Sequence, residues 1–142
     1  MNQMSPGARK LDNMPTDQNA DIALLLLRLG VGIIFIYAGW GKLTGIENTQ
    51  AFFGNLGIPM AGLMAWVVAI VEFFGGIMIL AGLFIRIPAI LMAIIMVVAI
   101  ITTKIGEPFP AYRVDLLLLL MSAALALMGP GRYSVDDLLP KK

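Results

Sequence analysis

Arg28 and Glu72 are ionisable residues set well inside long apolar stretches. On insertion scales each costs at least about 2.5–3.5 kcal/mol near the middle of a membrane helix, so each must face protein and find a partner. The chemistry open to them is narrow. They can neutralise each other and fix helix register, hold a polar ligand, or serve as a protonatable relay. Lys42 is a third candidate, because it lies on the same helical face as Arg28 and approaches Glu72 from the other side. Depth separates the two pairings. Arg28 lies about 9 Å into its segment and Glu72 about 20 Å from the same membrane face, at 1.5 Å per residue. An Arg28–Glu72 pair therefore has to span about 10 Å of mismatch, unless the first helix starts before Ile22. Three states of Glu72 stay open: paired with Arg28, paired with Lys42, or protonated. A second polar group gathers at the ends of the segments: Lys104, Arg113 and Asp115, with Trp40, Glu107 and Tyr112. It reads either as a solvated cluster of helix ends or as a shallow outward pocket beneath Phe52-Phe53. Trp40 and Tyr112 fit an interfacial aromatic belt. Asp115 is expected at the start of its helix, where a carboxylate complements the dipole.

The chain has no Cys and no His. That excludes disulfides, zinc sites, thiol nucleophiles and every triad that needs a histidine base. No catalytic constellation and no metal site is expected. Net charge is +1, and no run of basic residues exceeds two, so nucleic acid is not an expected partner.

The elements that must position these residues follow from composition. Of 142 residues 59% are hydrophobic and 13% charged, with a mean hydropathy of +0.88. A soluble domain of this size cannot hide so much apolar surface. Four apolar runs, at about 22–41, 60–85, 87–104 and 114–131, reach or approach the length that spans a bilayer. Their continuity excludes a spanning β-barrel. The fold class is all-α: an integral membrane four-helix bundle in the lipid bilayer, with both termini on one side. Arg9, Lys10, Arg86, Arg132, Lys141 and Lys142 fall on that side, against Lys42, Lys104 and Arg113 on the other. The six-to-three bias puts the termini in the cytoplasm. Residues 1–21 read as a flexible polar tail and 132–142 as a cytoplasmic tail. Thr44-Gly45-Ile46-Glu47 fits a capping box that starts an interfacial helix at about 45–56. Residues 106–110 read as a rigid external loop.

Each span carries its small and polar residues on one stripe. The first has Arg28, Gly32, Phe35, Gly39 and Lys42, and the second Ala65, Ala69, Glu72, Gly76 and Ile79. The third has Ala89, Ala93, Met96 and Thr103, and the fourth Asp115, Leu119, Ser122, Ala126 and Gly129. Close packing is the ordinary reason for such glycines.

The chain resembles the DoxX family of small four-span bacterial membrane proteins. The matching pieces are Arg28-Leu29; Ala38-Gly39-Trp40-Gly41-Lys42-Leu43; Phe52-Phe53 before Gly57-Ile58-Pro59; Glu72-Phe73-Phe74-Gly75-Gly76 with Leu80-Ala81-Gly82; Arg86; and Gly131-Arg132-Tyr133-Ser134-Val135-Asp136. They cover about residues 21–138. The resemblance implies a bundle in the bacterial inner membrane, associated with oxidoreductase systems. Since the chain brings no redox-active side chain, it would bind a quinone or anchor a redox partner protein. The resemblance makes Arg28, Lys42 and Glu72 the candidate ligand-binding residues, with Lys104, Arg113 and Asp115 as the secondary cluster. The expected function is a non-catalytic membrane subunit or quinone/lipid-binding component of an oxidoreductase-type complex. The alternatives are a small transporter or channel acting as a homo-oligomer, with Glu72 as its coupling site, and a structural or assembly factor.

Overall fold

A lone apolar segment in hydrocarbon must satisfy its backbone N–H and C=O groups internally, which a helix does. The computed structural model describes residues 16–140. It comprises α1 (Thr16–Thr44), α2 (Ile46–Asn55), α3 (Ala61–Ala81), α4 (Arg86–Ala99), α5 (Phe109–Met128) and a short α6 (Val135–Leu138); α4 runs on as a π-helical turn, Ile100–Lys104. Among the described residues there is no strand. Four stretches are long and apolar enough to cross a membrane: Gln18–Thr44, Ala61–Ala81, Arg86–Lys104 and Phe109–Met128.

Between lipid-soluble helices, association depends on close approach, not on apolarity. The α1–α3 pair shows how the sequence achieves this. A Cβ on Gly76 would lie 2.9 Å from the Ile36 nitrogen and 3.0 Å from the Gly32 carbonyl oxygen. Two turns along, a Cβ on Gly39 would run into the backbone of Phe73. α4 packs chiefly on α5. Val31, Phe35, Ile79, Met92, Leu118 and Leu125 fill the space between the pairs. The stripe residues Gly32, Phe35, Gly39, Ala65, Ala69, Gly76, Ala89, Met96, Ser122 and Gly129 are buried. Ile33, Ile70, Ile90 and Leu120 point outward, where lipid would cover them.

Several element ends depart from the sequence expectation, each for a local reason. α1 is already helical from Thr16, inside the stretch expected to be a tail; residues 1–15 of that tail, and 141–142 of the C-terminal one, lie outside the described residues. Arg28 therefore sits deeper along its helix than a start at 22 implies. The Thr44–Glu47 capping box does not form. Thr44 stays in α1 and its hydroxyl donates back to the Trp40 carbonyl at 2.9 Å, so Gly45 takes the N-cap position of α2 with no side-chain cap. The 106–110 loop is shorter than expected, because Phe109 and Pro110 form the first turn of α5; proline suits that turn, where its missing N–H has no role. Asp115 consequently lies six residues inside α5, not at its start.

The bundle has two unlike ends. At one, here the terminus end, the Asp21 carboxylate accepts from the Arg132 N–H at 3.0 Å. α3 stops there at Gly82, whose φ of 76° gives the left-handed cap that closes bonds onto Met78. The other end, the far end, carries α2 and the α4–α5 connection.

Candidate functional site

The α1–α3 contact at Gly39 decides the geometry of the far end. Lys42 follows Gly39 by one turn, and Glu72 precedes Phe73, the residue that Gly39 touches. The close approach brings the two side chains together, with Lys42 Nζ donating to Glu72 Oε2 at 2.8 Å. The Glu72 side chain is 2% exposed and that of Lys42 30%. A long lysine stem can lie along apolar surface while its charged end meets a polar partner. In such a pair the mutual attraction offsets desolvation only while both partners are present.

This pair borders a cavity of about 530 Å³. Phe52 and Phe53 of α2, with Leu56 and Ile58, cover one side; Met64, Val67, Val68 and Val71 of α3 form a second wall, and Leu91, Ile94, Ile95, Met96, Val98 and Ala99 of α4 a third. The polar lining is concentrated at the far end: Lys42, Glu72, Thr102, Thr103, Lys104 and Asp115. From Leu91 to Lys104 the cavity follows α4 for about 20 Å at 1.5 Å per residue. The shallow outward pocket expected beneath Phe52-Phe53 is thus a deep apolar slot, and α2 is its cover. Phe53 is buried against the bundle while Phe52 stays half-exposed. Such a site, predominantly apolar with a few convergent polar groups, is the ordinary form of a small-molecule pocket.

Arg28 is placed quite differently. It is 2% exposed and lies at the terminus end. Its Nε donates to the Ile79 carbonyl at 3.0 Å and Nη2 to that of Leu80 at 2.9 Å. Nη1 donates to the carbonyls of Tyr133 at 2.7 Å and Pro130 at 3.1 Å. Ile79 and Leu80 belong to the last turn of α3, which carries the negative end of the helix dipole; the Ile79 carbonyl also accepts from the Gly82 N–H at 3.2 Å. Of the two pairings left open for Glu72 by the sequence, the structure shows the one with Lys42, and it gives Arg28 to backbone. Lys104 and Asp115 join the same cavity as Lys42 and Glu72. Arg113 is exposed and is not part of the lining.

Sequence reasoning passed over two features. One is Thr102, whose hydroxyl donates to the Val98 carbonyl at 2.7 Å beside that of the stripe residue Thr103, which donates to the Ala99 carbonyl at 2.6 Å; adjacent threonines at a helix end were its available signal. The other is the strap after α5. Ser134 caps α6, and Asp136 accepts from the Phe84 N–H at 2.9 Å, which holds a turn where Phe84 has a φ of 45°. Ser-x-x-Asp just past the fourth span was readable as a helix start.

The comparisons with known proteins agree with this architecture. No solved structure matches the chain. It is 40% identical over 126 residues to the Bacillus subtilis protein named "Putative oxidoreductase CatD", covering 88% of this chain and 92% of that one. It is 36% identical over 129 residues to the inner membrane protein YqjF of Escherichia coli, covering 86% and 95%. With the membrane protein Rv3486 of Mycobacterium tuberculosis it shares 33% identity over 135 residues, 84% and 83% of the two chains. The family model for DoxX matches residues 23–105, from α1 through the π-helical turn that ends the third span. With that match, and four apolar helices to carry it, the chain belongs to the DoxX family as a multi-pass protein of the bacterial inner membrane.

Proposed function

We propose that this protein is a non-catalytic membrane subunit that holds an amphiphile of the quinone or lipid type for an oxidoreductase-type complex. The observation that carries this reading is the apolar slot of about 530 Å³ with its polar groups gathered at one end. An amphiphile has that same division, with a hydrocarbon part and one polar head. Lys42 and Glu72 give the head a donor and an acceptor beside the apolar wall. Neither Cys nor His is present in the sequence, so electrons would come from a partner protein, and this chain would supply binding and position. The name of the Bacillus subtilis relative supports a redox setting. The Lys/Arg bias favours termini in the cytoplasm, which would turn the polar end of the slot toward the outer face.

Native mass spectrometry of the protein released from a mild maltoside detergent tests this directly. The expected result is a bound quinone or lipid on the wild-type protein, reduced at least about tenfold in occupancy by Glu72→Gln, a loss of about 1.4 kcal/mol. Wild-type protein that carries no amphiphile, and takes up none when quinone or lipid is added, would overturn the reading.

A further inference from the structure

The head-group end of the slot holds charges that the Lys42–Glu72 pair does not use. Lys104 and Asp115 line it from facing elements, the π-helical turn and α5. Among the described residues neither has an ion-pair partner. The place of Lys104 in the lining goes with a local irregularity of its helix. Along α4, Ile95 and Ala99 line the slot at α-helical spacing. The π-helical turn then inserts one residue, so Lys104 stacks five positions after Ala99 and joins the same wall. The Thr102 and Thr103 hydroxyls, bonded to the Val98 and Ala99 carbonyls, hold the widened turn. Single π-helical turns of this kind are commonly found at functional sites.

We propose, on the reading of the slot as an amphiphile site, that its occupant is a zwitterionic amphiphile, with the anionic group on Lys104 and the cationic group on Asp115. The charge pattern favours this head over its rivals. A carbonyl-bearing head such as a quinone matches Lys104 but faces the Asp115 carboxylate with a second acceptor. An anionic head is repelled by Asp115. A zwitterion gives each charge a charge-assisted partner, the strong kind of hydrogen bond. The Lys42–Glu72 pair stays joined and offers the head its remaining donor and acceptor positions.

The test uses the full chain in uncharged maltoside detergent and three probes with one common acyl chain: a lysophosphatidylethanolamine, the free fatty acid and the monoacylglycerol. Competition measured by native mass spectrometry is expected to rank lysophosphatidylethanolamine at least tenfold above both others. Asp115→Asn is expected to erase that preference over the fatty acid, and Lys104→Met to weaken both charged probes while sparing the monoacylglycerol. Thr103→Val, by narrowing the turn, is expected to act like a weaker Lys104→Met. The double exchange Lys104→Asp with Asp115→Lys should recover part of the preference. Unchanged thermal unfolding of each variant shows that the bundle is intact. Equal binding of all three probes, or a preference that survives both single variants, overturns the zwitterion assignment and leaves the amphiphile site standing. Absence of all three probes from the wild-type protein overturns the zwitterion assignment, and the amphiphile site falls with it when added quinone is not taken up either.

Discussion

Two cations stand on one face of α1, four turns apart, and the structure treats them in opposite ways. Arg28 spreads its guanidinium over four backbone carbonyls drawn from α3 and the strap after α5. Lys42 has one carboxylate partner and a void beside it. In sequence the two look alike, as single basic residues in an apolar run. The difference is saturation. A guanidinium has five donors in a fixed fork, and Arg28 makes four bonds with nothing open next to it, which is the condition of a fastener. An ammonium has three donors, and Lys42 spends one on Glu72 beside a slot that another molecule can enter. A buried charge points to a site when its bonding is incomplete next to space, not because it is buried.

This contrast can be broken most forcefully at Arg28. Arg28→Lys keeps the charge but loses the fork: three donors for four carbonyls leave at least one unpaired, at about 1–3 kcal/mol, and the rest lose the fork's alignment. The expected outcome is a loss of about 3 kcal/mol or more in thermal or denaturant unfolding in detergent. A variant as stable as the wild type would show that the four bonds are dispensable. At the far end the effect should be smaller and reversible. Lys42→Met or Glu72→Met alone leaves one buried charge without its partner, a loss in the range of about 3–5 kcal/mol for a fully buried pair and less here, since Lys42 is partly exposed. Both together should recover most of that stability, yet lose the bound amphiphile. A double variant that is stable and still retains amphiphile would make the pair a fastener like Arg28. The smallest change sits between the two regions. The Ser122 hydroxyl is fully buried and among the described residues has no hydrogen-bond partner. Ser122→Ala is expected to raise stability by up to about 1 kcal/mol, read as a small rise in melting temperature.

The spans were legible in the sequence because hydrocarbon forces one solution on a long apolar run. Their packing faces were legible because small residues must recur at helical spacing for backbones to meet, as Gly32, Gly39 and Gly76 do. The partner of Arg28 was not legible. Backbone carbonyls carry no side-chain signature, and those of Pro130 and Tyr133 lie 102 and 105 residues away. Thr44 misled for a related reason: its hydroxyl can bond back along its own helix as readily as it can cap the next one. Asp115 was placed at a helix start because the two prolines at 108 and 110 suggested a loop, whereas Pro110 is a first-turn residue. The slot itself could be sensed only through Phe52-Phe53. Its depth depends on how far α3 and α4 stand apart, a distance that neither helix encodes alone.

The four bonds of Arg28 also impose an order on biosynthesis. The guanidinium enters the bilayer with the first helix, 51 residues ahead of the Ile79 carbonyl and 105 ahead of that of Tyr133. A growing chain therefore carries a half-bonded cation in its first helix until the fourth has been threaded and the strap behind it has folded back. The last stitch of the bundle is tied by residues made after every span, so a ribosome that stalls before Tyr133 releases a protein whose first helix is still unsealed.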